Sequence, residues 1–229
     1  MKVTNASRRA EPAAQACKRP AAGAAGRTLI HIPVIHTQAD MGALAKAIQA
    51  LTIHKLGQQG WQRNLEVIDE VWSRIEAAIE GWSLPYQRVR LYQDGLPVCG
   101  REEQIVTELA KAGSRNHQLV LRLKRRGATI MGTESAELLV LEYKLIKQAL
   151  DAVDGKAAGQ AEVRDRALSL ALLAKRDQAI AERINQTLAP GETGIIFLGM
   201  LHRLEPWLAK DIRVRHPIFR PPAPADPPL

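Results

Sequence analysis

Runs of consecutive apolar residues alternate along this chain with longer stretches in which apolar residues recur every three or four positions. The run TLIHIPVI (28–35) reads as a buried strand, with Pro33 marking its last part as a sheet end or bend. RVRLY (88–92), GATIM (127–131) and GIIFLG (194–199) read as three more strands, and IRVRHPI (212–218) as a last edge strand. Between them, residues 41–57, 134–151 and 161–188 have helical periodicity. Residues 101–126 are helical with a break at AGSRNH, where Gly113 can close one helix and Ser114 can cap the next. The clearest helix is 61–82, in which Trp61, Leu65, Ile68, Trp72, Ile75, Ile79 and Trp82 share one face. A further helix begins near Glu205. Strands separated by long helical segments need crossover connections. The pattern therefore predicts an α/β fold, a mainly parallel sheet flanked by helices on both faces.

The patterning stops at both ends. Residues 1–26 repeat Ala, Gly and Pro without an apolar period and read as a disordered basic tail. Residues 220–229 form a proline-rich tail, leaving a single domain over 27–219. A chain of 229 residues, 46% hydrophobic, can bury one sizeable core. Aromatics are only 4%, so that core rests on Leu, Ile, Val and Ala.

The net charge of +8 is unevenly placed: residues 1–27 carry six basic side chains against Glu11, a net +5. Such an arm can bind nucleic acid, but a solvated tail explains it without a partner, so nucleic acid is not the expected ligand. Cys17 and Cys99 form no disulfide framework and no C-x-x-C pair, which fits a reducing cytoplasm. No run approaches the roughly 18 apolar residues of a membrane span.

Parallel sheets bind ligands outside the carboxyl ends of their strands. The first four expected strands end on His36, on Gln93 and Asp94, on Thr133 and Glu134, and on Gly199 followed by His202. Two histidines and two carboxylates would then project into one crevice. That set suits a borderline divalent metal such as zinc, manganese or iron, which would make bound water a nucleophile. The same residues can instead work without metal, with a His or Glu as general base on water. Ser114, Asn116 and His117 gather at a helix start, where backbone N–H groups favour an anion and make these three candidate substrate-binding residues.

The order of these motifs resembles the superfamily of TraB/Tiki-like and erythromycin-esterase-like proteins, to which the ChaN haem-binding proteins also belong. GMLH (199–202) matches the second of two G-x-x-H elements, and PVIH (33–36) matches the first at His36, with Pro33 in place of glycine. GTES (132–135) resembles the acidic element, and KRDQAIAERI (175–184) the Arg-containing helix, with Arg176 in the matching place. The resemblance spans about 28–204. It implies a hydrolase of small-molecule or peptide substrates in which His36 and His202 bind a metal or activate water, with Glu134 and Asp94. Arg176 would hold the anionic part of substrate or transition state. It implies as an alternative a non-catalytic domain that binds a small anionic ligand or haem, and the basic tail leaves a nucleic-acid-associated protein as a third reading.

Overall fold

In the computed structural model, which describes residues 26–152 and 160–218, five strands form one parallel sheet. They are β1 (Arg27–Val34), β2 (Val89–Gln93), β3 (Thr129–Met131), β4 (Thr193–Gly199) and β5 (Ile212–Arg215), in the order β3-β2-β4-β1-β5. The helices are α1 (Ala45–Glu80), α2 (Glu102–Lys111), α3 (Arg115–Arg125), α4 (Ala136–Ala152) and α5 (Gln160–Thr187). The predicted α/β architecture holds. The basic tail up to residue 25 and the proline-rich tail 220–229 lie outside the described residues. Among the described residues no helix is long and apolar enough to cross a membrane.

Strand order explains the two layers of helices. The connections from β1 to β2 and from β2 to β3 run toward one edge of the sheet, and those from β3 to β4 and from β4 to β5 run toward the other. Because parallel crossovers are right-handed, opposite directions put the connecting helices on opposite faces. The core divides accordingly. Trp72, Ile75 and Ile79 of α1, Val106 of α2 and Leu119 and Leu123 of α3 pack on Ile32, Leu91, Ile195 and Phe197. On the other face Ile180 and Ile184 of α5, and Leu188 just after it, pack on Leu29, Tyr92, Ile196 and Leu198. In β4, then, consecutive residues are buried on alternate sides, which is why Ile195 to Leu198 form an unbroken apolar run.

Several expectations shift in detail. The expected break between helices 41–57 and 61–82 is present: α1 (Ala45–Glu80) is two helical stretches meeting at a kink at Gly57, whose φ of 70° and ψ of 170° leave the helical path, and only its outer bounds shift. The expected strand 212–218 pairs only over Ile212–Arg215, and the segment at Glu205 is a single 3-10 turn, Glu205–Trp207, with Pro206 inside it. Pro33 is the penultimate residue of β1, at the end of the strand as expected. β5 stops pairing at Ile30, leaving β1 a side on which a missing N–H costs no ladder bond. Gly113 and Ser114 behave as predicted: the glycine has φ 100°, and the Ser114 hydroxyl accepts the His117 N–H as the cap of α3.

Candidate functional site

Three central strands, β2, β4 and β1, deliver Asp94, Gly199 and His36 side by side. The register follows from the ladder: Val34 pairs with Gly199, and Gln93 with Phe197, so residues just past each strand end meet at one level. The Asp94 N–H donates to the Phe197 carbonyl at 2.8 Å and its Oδ2 accepts the Gly199 N–H at 2.9 Å, which locks the carboxylate over the end of β4. His36 Nε2 lies 3.4 Å from that same oxygen and His202 Nε2 lies 3.8 Å from it. A side chain at 199 would fill this space: a Cβ there would stand 3.1 Å from Asp94 Oδ2 and 3.9 Å from His36 Nε2. Glycine at the end of β4 therefore makes room for the convergence.

Glu134 reaches the same place because the loops after β2 and β3 are stitched together. Leu96 accepts the N–H groups of Thr133 and Glu134, Val98 donates to the Glu134 carbonyl, and the Thr133 hydroxyl accepts the Gln93 N–H. Gly95, at φ 73°, completes the turn and donates its N–H to Glu134 Oε1 at 2.7 Å. From α5, Arg176 binds Glu134 bidentately, Nε to Oε2 at 2.7 Å and Nη2 to Oε1 at 2.6 Å. Its Nη2 also donates to Asp94 Oδ1 at 2.8 Å, and its Nη1 to Glu142 on α4. The guanidinium is thus committed to protein carboxylates, and its role is to position Asp94 and Glu134.

The charges follow from these contacts. Burial works against an ionised Asp94, but the His36 contact and the nearby charges of His202 and Arg176 outweigh it and hold the carboxyl well below its usual range. Burial pushes Glu134 up, and Asp94 adds to this against the pull of Arg176. Burial opposes the Arg176 charge too, yet Glu134, Asp94 and Glu142 raise its pKa further. For His36, burial favours the neutral ring, whereas Asp94 and then Asp40 favour the cation and win, raising its pKa above the ordinary 6.5. The His36 side chain is 36% exposed, against 5% for His202 and 6% for Asp94, so His36 is the member open to solvent.

Sequence reasoning missed Asp177. It follows Arg176 on α5 and accepts the His202 Nδ1–H at 2.6 Å through Oδ1, while Oδ2 accepts the Arg203 N–H at 2.9 Å. This fixes both the ring and the turn that carries it. A signal was present: Leu172, Ile180 and Ile184 recur at intervals of four and eight, and Arg176 falls on that buried stripe, with Asp177 four residues before buried Ala181.

Asp40 is the second residue missed as part of the assembly. Ser114, Asn116 and His117 are all buried, so none is open to a solvent-borne ligand. The Ser114 hydroxyl instead donates to Asp40 Oδ1 and meets His117 Nδ1 at 2.6 Å, and Asp40 Oδ2 accepts the N–H and hydroxyl of Thr37. Because the hydroxyl contacts the same ring nitrogen that lies 3.4 Å from Asp40, the three do not form a nucleophilic relay. They tie the loop after β1, and hence His36, to the start of α3. Burial opposes ionisation of Asp40, but His117, Ser114 and Thr37 hold its pKa at about 2, below the ordinary 3.8. A depressed carboxyl contributes stability above its unfolded pKa that disappears as pH falls through its folded one. Asp40→Asn should therefore cost about 2 kcal/mol at neutral pH and progressively less from about pH 4 to pH 2. Urea unfolding of both proteins across that range checks it.

Beside His36 opens a cavity of about 460 Å³ lined by Met41, Ile48, Trp61, Leu65, Ile68 and Trp72 among others. Trp72 also donates its indole N–H to the Ile35 carbonyl at 3.1 Å, joining the cavity wall to the segment that carries His36.

As metal ligands, His36 and His202 would share Asp94, whose Oδ2 already accepts the Gly199 N–H. Among the described residues, the trio whose ligand atoms all lie within 4.8 Å of one another is instead His31, Glu205 and His216, a group that could hold a metal ion. No protein-family model, curated protein or solved structure matches this chain.

Proposed function

We propose that the chain is a hydrolase of the TraB/Tiki/erythromycin-esterase type that activates water at the ends of β1, β2 and β4. The observation that carries this reading is the approach of His36 Nε2 and His202 Nε2 to one oxygen of Asp94, at 3.4 and 3.8 Å, beside an apolar cavity. A separation of 3.8 Å is too long for a direct hydrogen bond, so the His202 ring is not committed to Asp94, and the water to be activated would lie against both atoms. His202, with its Nδ1–H held by Asp177, presents Nε2 as the general base toward that water. His36, with a raised pKa, is the acid that protonates the departing group. Asp94 stays ionised, orients both rings and stabilises the imidazolium that forms on His202. Arg176 and Glu134 hold Asp94 in place. The apolar part of a small-molecule or peptide substrate would lie in the cavity beside His36, placing its scissile bond at the open ring.

The pH dependence follows with its sign. An acid must be protonated, so turnover should fall as pH rises through the His36 pKa, and that limb should lie above 6.5. Asp40 contributes to the shift, so Asp40→Asn should move the limb to lower pH. The experiment is a hydrolysis panel of carboxylic esters and peptide amides with apolar acyl groups, read as rate against pH. Turnover that persists unchanged in the double variant His36→Gln/His202→Gln would sink the reading.

A further inference from the structure

The sheet also brings together a second pair of histidines with a carboxylate. His31 is buried on β1, His216 follows the last residue of β5, and Glu205 stands in the 3-10 turn between β4 and β5. The parallel register makes the histidines neighbours: Ile30 pairs with Arg215, so the residues that follow, His31 and His216, lie alongside one another. Their rings stand 5.1 Å apart and tilted by 47°, not stacked. His216 Nε2 lies 3.3 Å from Glu205 Oε1. That separation is close to the edge of a tetrahedron about 3.4 Å long, which ligands about 2.0–2.1 Å from one ion define.

We propose that His31, Glu205 and His216 form a divalent transition-metal site, of the kind zinc occupies, distinct from the His36–Asp94–His202 cluster. Two imidazoles and one carboxylate favour zinc or its cobalt substitute over magnesium or calcium, which prefer oxygen ligands alone. Three protein ligands leave the fourth position to water, which reaches the ion from the side of exposed Glu205 and His216. The ligands come from three separate segments, so the ion joins the β4–β5 connection and the end of β5 to β1. Glu205 follows His202 by three residues, and the same ion restrains the segment that bears the proposed base.

The test uses the full chain without a histidine tag, stripped with chelator and titrated with Co²⁺, the d–d absorption reporting on the coordination shell. One saturable equivalent is expected, with Zn²⁺ displacing it and raising the thermal midpoint by about 5–10 °C at a hundredfold excess over Kd. His216→Ala and Glu205→Gln, both at exposed positions, should each weaken binding by about 100-fold or more, since even outer-shell changes cost 10–100-fold. His36→Ala/His202→Ala should bind as the parent does. Absence of saturable uptake overturns the proposal. So does uptake that survives His216→Ala, or that vanishes in the His36/His202 double variant while His216→Ala retains it.

Discussion

Arg176→Met should lower the unfolding free energy by about 3–5 kcal/mol. The side chain is buried among Asp94, Glu134 and Glu142, of which the first two are themselves buried. Methionine fills similar space but leaves two interior carboxylates without their cation, and the cost is chiefly that of the stranded charges. Lysine should not rescue, because a single ammonium cannot reproduce the two parallel bonds to Glu134 and the third to Asp94. Glu142→Gln makes the contrast: its side chain is 34% exposed, so solvent screens the pair and the loss should stay within about 1 kcal/mol. Lowering the pH protonates the stranded carboxyls, so the deficit of Arg176→Met should shrink in acid. Urea unfolding at several pH values measures all three. A deficit below about 1 kcal/mol at neutral pH would show that the cluster does not depend on its cation.

The second large effect concerns turnover. His202→Gln should reduce kcat by about 10²–10⁴-fold with little change in KM, as removal of a general base requires. Asp177→Asn keeps the imidazole but replaces the carboxylate that accepts Nδ1–H at 2.6 Å, so the ring loses its preference for the tautomer whose Nε2 is unprotonated. It should approach the same loss in kcat while the fold remains, by the logic of orienting carboxylates elsewhere. A variant that lost activity only through stability would show normal kcat per folded molecule, and that outcome would reduce Asp177 to a structural tie.

Much of this was legible in the chain because parallel strands buried on both faces leave continuous apolar runs. Ile195 to Leu198 announce β4 for that reason, and the residues that break each run mark the strand end where ligands bind. His36, Asp94, Glu134 and His202 could be gathered by that rule alone. Asp177 and Asp40 could not, because each serves its histidine across 25 and 77 residues of sequence and no local pattern records the pairing. Arg176 illustrates a different limit. Its place in the site could be read from the resemblance, but whether its N–H groups face a substrate or neighbouring carboxylates depends on Glu142, which no motif includes. At Ser114 and His117 the helix cap was correct, and the exposure that an anion site needs was not. Gly57 was legible as the point where one helical period ends before the next begins at Trp61, and its positive φ is the conformation glycine permits there.

Strand order has a consequence for how the chain comes to be built. β1 pairs only with β4 and β5, whereas β2 and β3 can pair as soon as both exist. The 158 residues 35–192 must therefore emerge from the ribosome before β1 has a neighbour, about 8–30 s at ordinary elongation rates. During that interval an apolar strand waits unpaired beside a partial sheet, an invitation to a holdase chaperone or to self-association. The insertion of β4 between β2 and β1 then closes the sheet and joins His36 to Asp94 in the same event. A released chain truncated before residue 193 should thus hold neither the β1–β4–β2 pairing nor the His36–Asp94 approach, whereas one extended past His202 should hold both.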